Sequence, residues 1–283
     1  MRRLALVGVL VAVAVTLMGA SVAWGADTIT PMCTTAQGTQ PCAAGWYTAP
    51  ILQLSWDWTA GGTPSNCNES SYQTDSVAPV SCTVSWGQVG FTAFYTVQVE
   101  ISSPTATATP SRPPDSNGWY NAPVSFAFQG SSFSHIASCT SATYSGPAIT
   151  NATVAGTCTD NAGKSVTVTS APFAYDATPP TLTATATAGD QTVAVSWQTG
   201  GDMAPIASIQ VTRSGGTKAA DVATVYNGDG TGFEDRHLKN GVRYTYAITA
   251  RDLAGNVATQ TVKVTPDARL LGPARNAHVT APP

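Results

Sequence analysis

Gly118-Trp119-Tyr120-Asn121-Ala122-Pro123 restates, with one change, an earlier stretch of the chain, Gly45-Trp46-Tyr47-Thr48-Ala49-Pro50. Each copy is followed by an alternating apolar run and then by two cysteines. Trp46 and Trp119 are 73 positions apart, Cys67 and Cys139 are 72 apart, and Cys82 and Cys158 are 76 apart. Three markers that drift so little define a repeated unit of about 75 residues. That is long for a solenoid repeat and the size of a small β-sandwich. The chain of 283 residues is therefore expected to be all-β, a tandem of β-sandwiches.

Composition agrees. Charged residues make up only 10% of the chain, well under the usual share. Thr, Ser, Ala, Val and Gly take their place, which is the chemistry of sheets and turns. A net charge of −3 with no basic stripe gives nucleic acid nothing to bind.

Residues 1–26 read as a signal peptide. Arg2 and Arg3 form the charged start, Leu4 to Leu17 the apolar stretch, and Ser21-Val22-Ala23 or Ala23-Trp24-Gly25 the small-residue cleavage site. The alternative is an uncleaved anchor, for which the apolar run is short. No other segment is apolar enough to span a membrane. The reading is thus a secreted or cell-surface protein with no membrane segment after cleavage.

Export changes the meaning of the six cysteines. The repeat selects Cys67–Cys82 and Cys139–Cys158 as equivalent disulfides and leaves Cys33–Cys42. Closing loops of this size contributes about 3 kcal/mol each on the chain-entropy model. Zinc is disfavoured, because no cysteine pair has the two-residue spacing of a zinc module. No metal and no cofactor is expected.

Four segments follow the signal. Residues 27–104 form the first module. In it Leu52, Leu54, Trp56 and Trp58 share one face of a half-buried strand, and Gly61-Gly62-Thr63-Pro64-Ser65-Asn66 reads as a turn. Its last strand puts Ala93, Tyr95, Val97, Val99 and Ile101 on one face. Residues 105–177 form the second module. It opens on a proline-rich stretch, read as a stiff linker or first edge strand, and Val124, Phe126 and Phe128 are its apolar face. These match Leu52, Leu54 and Trp56 if the first module carries one extra residue, a bulge. Residues 178–266 form a third module without cysteine. Residues 267–283 are a tail or the start of a further module. Asp160-Asn161-Ala162-Gly163-Lys164 and Asp252-Leu253-Ala254-Gly255-Asn256 are two copies of one hairpin.

The third module resembles a fibronectin type III domain, on Pro179-Pro180, Trp197, and Leu238 to Tyr244 leading into Tyr246. The resemblance implies that Trp197 is the core centre and that Tyr244 makes a tyrosine corner. The first two modules resemble the bacterial immunoglobulin-like repeats of large secreted proteins, on Gly118 to Pro123, the Cys139 and Cys158 pair and Asp160 to Lys164. The first module departs from that pattern, with Trp86-Gly87-Gln88-Val89-Gly90 at the hairpin and an added cysteine pair. Such proteins, often actinobacterial, use these modules as adhesive units or spacers, sometimes beside carbohydrate-acting enzymes.

The search for chemistry finds few parts. His135, His237 and His278 have no nucleophile and orienting acid in any recognisable motif. Gly228-Asp229-Gly230-Thr231-Gly232 lacks the lysine and helix of a phosphate loop, and with Glu234 and Asp235 it is at most a loose calcium loop. Glu69, Glu100 and Glu234, the three glutamates, are dispersed along the chain. Asn68 and Asn151 head glycosylation sequons and are expected to stay bare in a bacterial export context.

The tryptophans divide into two sets. Trp46, Trp119 and Trp197, with Tyr244, are read as structural core. Trp58 and Trp86 have no counterpart in the repeat and are the candidates for stacking on sugar rings. The function expected is a non-enzymatic adhesive or spacer scaffold. The alternatives are a carbohydrate-binding accessory of a polysaccharide-degrading system, or a fragment of a larger extracellular enzyme. The partner would be a polysaccharide or a cell-surface protein.

Overall fold

The computed structural model describes residues 22–24, 27–201, 203–215 and 222–270. These residues form strands and turns, with one 3-10 turn at Ala268–Leu270 and no α-helix among them. None of the described residues forms a helix long and apolar enough to cross a membrane. Of the signal-peptide reading, residues 1–21, 25 and 26 lie outside the described residues, as do His278 and the rest of 271–283.

Residues 22–99 supply eight strands: β1 Val22–Trp24, β2 Asp27–Thr35, β3 Gly38–Pro41, β4 Ile51–Trp58, β5 Thr63–Ser65, β6 Ser70–Tyr72, β7 Ser76–Trp86 and β8 Val89–Val99. One sheet runs β1-β2-β4-β6 with β3 paired to β2, and a second runs β5-β7-β8. Alternation aims one side of each strand inward. Ile29, Cys33, Leu54 and Trp56 from one sheet meet Val84, Ala93, Tyr95 and Val97 from the other. β7 and β8 pair over their full length, from Ser76↔Val99 to Trp86↔Val89. Gly87, at φ +67°, makes the tight turn between them.

Two expectations for this segment need correction. Leu52 does not share the face of Leu54: it is 50% exposed, while Ile51 and Leu54 are fully buried. The β4–β6 register shifts between Ile51 and Leu54, and this bulge carries one residue out of the alternation. Thr63-Pro64-Ser65 is not part of the turn. It is a short strand at the edge of the β5-β7-β8 sheet, the place where a sheet tolerates proline.

Residues 105–175 supply β9 Thr105–Pro110, β10 Trp119–Tyr120, β11 Val124–Ser131, β12 Ile136–Cys139, β13 Ser141–Tyr144, β14 Ile149–Ala152, β15 Ala155–Asp160, β16 Ser165–Thr169 and β17 Phe173–Tyr175. They form three short sheets, β13-β11-β9, β12-β15-β16 and β10-β17-β14. Of the proline-rich opening, only Thr105–Pro110 forms an edge strand, and Pro104, Pro113 and Pro114 lie outside it. Val124, Phe126 and Phe128 are buried, and the Phe126 ring stacks on Phe173 at 5.0 Å.

Residues 181–264 supply β18 Thr181–Ala188, β19 Thr192–Gly200, β20 Ile206–Gly215, β21 Ala223–Gly228, β22 Gly232–Arg236, β23 Tyr244–Asp252 and β24 Val257–Val264. A three-stranded sheet, β18-β19-β22, faces a four-stranded one, β21-β20-β23-β24. Their shared core includes Val193, Val195, Trp197, Val211, Tyr246 and Ile248.

The chain divides into two compact units. One is Met1–Thr109 with Ala127–Ser141 and Ala155–Thr169; the other is Pro110–Phe126 with Ala142–Val154 and Ser170–Pro283. The division passes through the middle segment, so the strand β11 contributes residues to both.

Candidate functional site

Both copies of the repeated stretch do the same thing to the backbone. Tyr47 pairs in parallel with Val99, at the end of β8, and Trp119-Tyr120 pair in parallel with Ala174-Tyr175 on β17. In the second copy Asn117 and Gly118, both at positive φ, make the tight turn that delivers Trp119. The residue after each pairing partner is an acid: Glu100 N–H donates to the Tyr47 carbonyl at 2.9 Å, and Asp176 N–H to the Tyr120 carbonyl at 2.9 Å.

Both acids have no solvent exposure. A buried carboxylate is tolerated only where donors surround it. In the first unit, Glu100 accepts the Ser132 hydroxyl at 2.8 Å and the Phe133 and Ser134 amides at 3.0 and 3.3 Å. In the second, Asp176 accepts the Ala204 amide at 2.8 Å on one oxygen and its own neighbour Thr178 at 3.0 Å on the other. Burial pushes the Glu100 carboxyl up, but the hydrogen bonds from Ser134, Ser132 and Phe133 outweigh it and hold its pKa below the usual glutamate value.

The two Asp-x-Ala-Gly hairpins also share a plan. Asp160 accepts the Lys164 amide and Asp252 the Asn256 amide, each at 2.8 Å. Gly163 and Gly255 take the positive φ that closes the turn. In the first unit Lys164 Nζ donates to the Ile101 carbonyl, and to that of Ser102 at 2.7 Å. Asp75 accepts the Ile101 and Ser102 amides from the other side. In the second unit Asn256 donates to the Asp176 carbonyl at 2.9 Å.

The residues read as core sit in different settings. Trp197 and Tyr244 belong to the core of residues 182–264, the Trp197 indole donating to the Gly230 carbonyl at 2.9 Å and the Tyr244 hydroxyl accepting from Lys239 N–H at 3.0 Å. Trp119 packs with Ala204 and Ala254, apart from that core. Trp46 is half-buried and meets Phe133 edge-on at 6.1 Å.

Trp58 and Trp86 are both half-buried against the first core. Trp86 donates its indole N–H to the carbonyl of Thr59, the residue after Trp58, at 3.3 Å. Its ring lies over Gly62, where a Cβ would come within 2.7 Å of it. The structure therefore places the two candidates at the ends of β4 and β7, linked through Thr59, with one face of Trp86 committed to the protein.

Three disulfides are formed: Cys33–Cys42, Cys67–Cys82 and Cys139–Cys158. Cys139 and Cys158 are a directly opposed pair on β12 and β15. The bridge therefore staples two neighbouring strands of one sheet.

The remaining chemical candidates are dispersed. His135 and His237 occupy positive-φ turn positions. Glu69 accepts the Gln53 amide, and Glu234 pairs with Arg236. Asp235 points inward to Arg213 and the Tyr246 hydroxyl, at 2.8 Å each, so on β22 it and Glu234 face opposite sides and cannot converge on one cation. No cluster of three His, Cys, Asp or Glu forms among the described residues. An open depression of about 670 Å³ is lined by Thr183, Thr185, Ser196, Gln198 and Thr231 around Trp197. Those polar groups are hydroxyls and an amide, with no acid or base.

Sequence reasoning gives Glu100 no role beyond a dispersed glutamate and does not single out Asp176. They are 76 positions apart, the spacing of Cys82 and Cys158, which is the signal that marks them as equivalent.

Neither a family model nor a curated protein sequence matches the chain. Solved structures do. Its structural neighbours are immunoglobulin- and fibronectin III-like domain proteins. Domains A168–A170 from titin share 12% identity, covering 86% of this chain and 89% of that one, with a TM-score of 0.35. The fibronectin(III)-like modules of Clostridium thermocellum CbhA share 11%, covering 59% and 97%, with a TM-score of 0.31. A tetra-tandem repeat in the extending region of a large adhesion protein shares 15%, covering 86% and 67%, with a TM-score of 0.36. The likeness is one of fold, and the described residues are all-β, arranged in several sheets.

Proposed function

We propose that this protein is a non-enzymatic, extracellular or cell-surface modular scaffold that serves as an adhesive unit or spacer, built of sandwiches at 27–104, 105–177 and 178–266. The observation that carries the reading is where the buried acids go. Glu100, Asp176, Asp235 and Asp252 are bound by the protein's own amides and side chains. The fifth buried acid among the described residues, Asp160, accepts the Lys164 amide on one oxygen and leaves the other without a partner. Catalytic acids need a free face toward a cleft, and the depression around Trp197 is lined by none. Three disulfides fit an oxidising compartment.

A second reading, a carbohydrate-binding accessory, is favoured by the half-buried Trp58 and Trp86 at the ends of β4 and β7. One panel separates the two. The scaffold reading predicts no release of product from polysaccharide, peptide and ester substrates, and no quenching of tryptophan fluorescence by insoluble or soluble polysaccharides. Quenching lost in Trp58→Ala or Trp86→Ala would install the second reading. Turnover of any substrate would end the first.

A further inference from the structure

The two buried acids, the two Trp-Tyr stretches and the two Asp-x-Ala-Gly hairpins form two joints of one design. In each, the Trp-Tyr stretch pairs with the end of a last strand, and the next residue is the buried acid. The acid takes amides from the loop after a long strand further along the chain: Phe133 and Ser134 after β11, Ala204 after β19. The hairpin then closes on the short connection, through Lys164 in one joint and Asn256 in the other.

The design is shared but the side-chain contacts are not. In the second joint Asn117 donates to the Leu253 carbonyl at 3.1 Å and Asn121 to that of Ala254 at 3.0 Å. The corresponding positions of the first copy hold Ala44 and Thr48, and Lys164 stands where the other hairpin has Asn256. The parts also have a direction. Residues 27–104 carry the Trp-Tyr stretch and no such hairpin; residues 178–266 carry the hairpin and no Trp-Tyr stretch; residues 105–177 carry both.

We propose that the Trp-Tyr stretch and its acid form a directional docking surface whose partner is a β-sandwich bearing an Asp-x-Ala-Gly hairpin, and that Asn117, Asn121, Lys164 and Asn256 make each joint select its own partner. This holds whatever the assembled scaffold binds. Amide donors to a carboxylate fix the angle of approach, and the indole fixes the spacing, Trp46 against Phe133 in the first joint and Trp119 against Ala204 and Ala254 in the second. A joint so held keeps its connecting residues out of a protease cleft, which requires local unfolding.

The test is thermolysin digestion of the full chain, with cut sites placed by mass spectrometry. Wild-type protein resists cutting before Ile101 and before Ala177. Trp46→Ala speeds the first cut more than fivefold and leaves the second within twofold; Trp119→Ala does the reverse. Asn121→Thr, which imports the first copy's residue at a partly exposed position, speeds only the second cut, more than twofold, and serves if an indole deletion prevents folding. Equal acceleration at both sites by either tryptophan variant would overturn the proposal. So would no acceleration by Asn121→Thr.

Discussion

Glu100 keeps its charge without touching water. Burial alone would favour the neutral acid, and two serine hydroxyls with two backbone amides reverse that preference. Asp75, on the other side of the same connection, is held down as well, chiefly by Ser102 and more weakly by the Ile101 amide and Lys164. The sign of the pH effect follows. A carboxylate whose pKa falls on folding stabilises the fold above its unfolded value, and that stabilisation is lost as pH drops through the folded value. Acidifying from about pH 6 to pH 3 should therefore lower the melting temperature of wild type more than that of Glu100→Gln. Parallel curves would contradict this. Tyr246 shifts the opposite way, its phenol pushed up first by burial and then by its bond to Asp235. Tyr246→Phe leaves Asp235 paired with Arg213 and should cost about 1–2 kcal/mol in urea unfolding.

At the scale of elements, alternation made most strands readable and bulges made the exceptions. The faces of β8, β11, β19 and β23 follow period two, because each is half-buried against one core. β4 does not, and Leu52 is the residue the bulge turns outward. Nothing in the local sequence announces that bulge; only comparison with Val124, Phe126 and Phe128 does. Pro64 made β5 read as a turn, since an edge position is a property of the sheet and not of the residue. Two element-level outcomes follow. Gly156 lies under the Phe128 ring, where an added Cβ would come within 2.3 Å. Gly156→Ala should destabilise by roughly 1–3 kcal/mol, read from the urea midpoint. Removing the Cys139–Cys158 bridge by a double alanine change should cost about 3 kcal/mol, since it closes a loop of 19 residues. A loss well under 1 kcal/mol would mean the strand pair holds without it.

For the whole molecule, the repeat pointed to tandem β-sandwiches but not to what the repeated residues are for. Trp46 and Trp119 read as core because large aromatics usually are. Their partners, Phe133 in one unit and Ala204 and Ala254 in the other, lie far along the chain, and single-sequence periodicity cannot see contacts at that range. The same distance hid the acids. Among the buried acids, Glu100, Asp160, Asp176 and Asp252 hold backbone amides, while Asp235 holds the Arg213 and Tyr246 side chains. The most direct measurement is residue-resolved amide hydrogen exchange on the intact protein at neutral pH. The Ser134 and Ala204 amides, bound to Glu100 and Asp176, should exchange as slowly as core amides of β23, at least a hundredfold slower than Gly87 at its exposed turn. Exchange at the rate of Gly87 would mean that the two carboxylates hold nothing in solution.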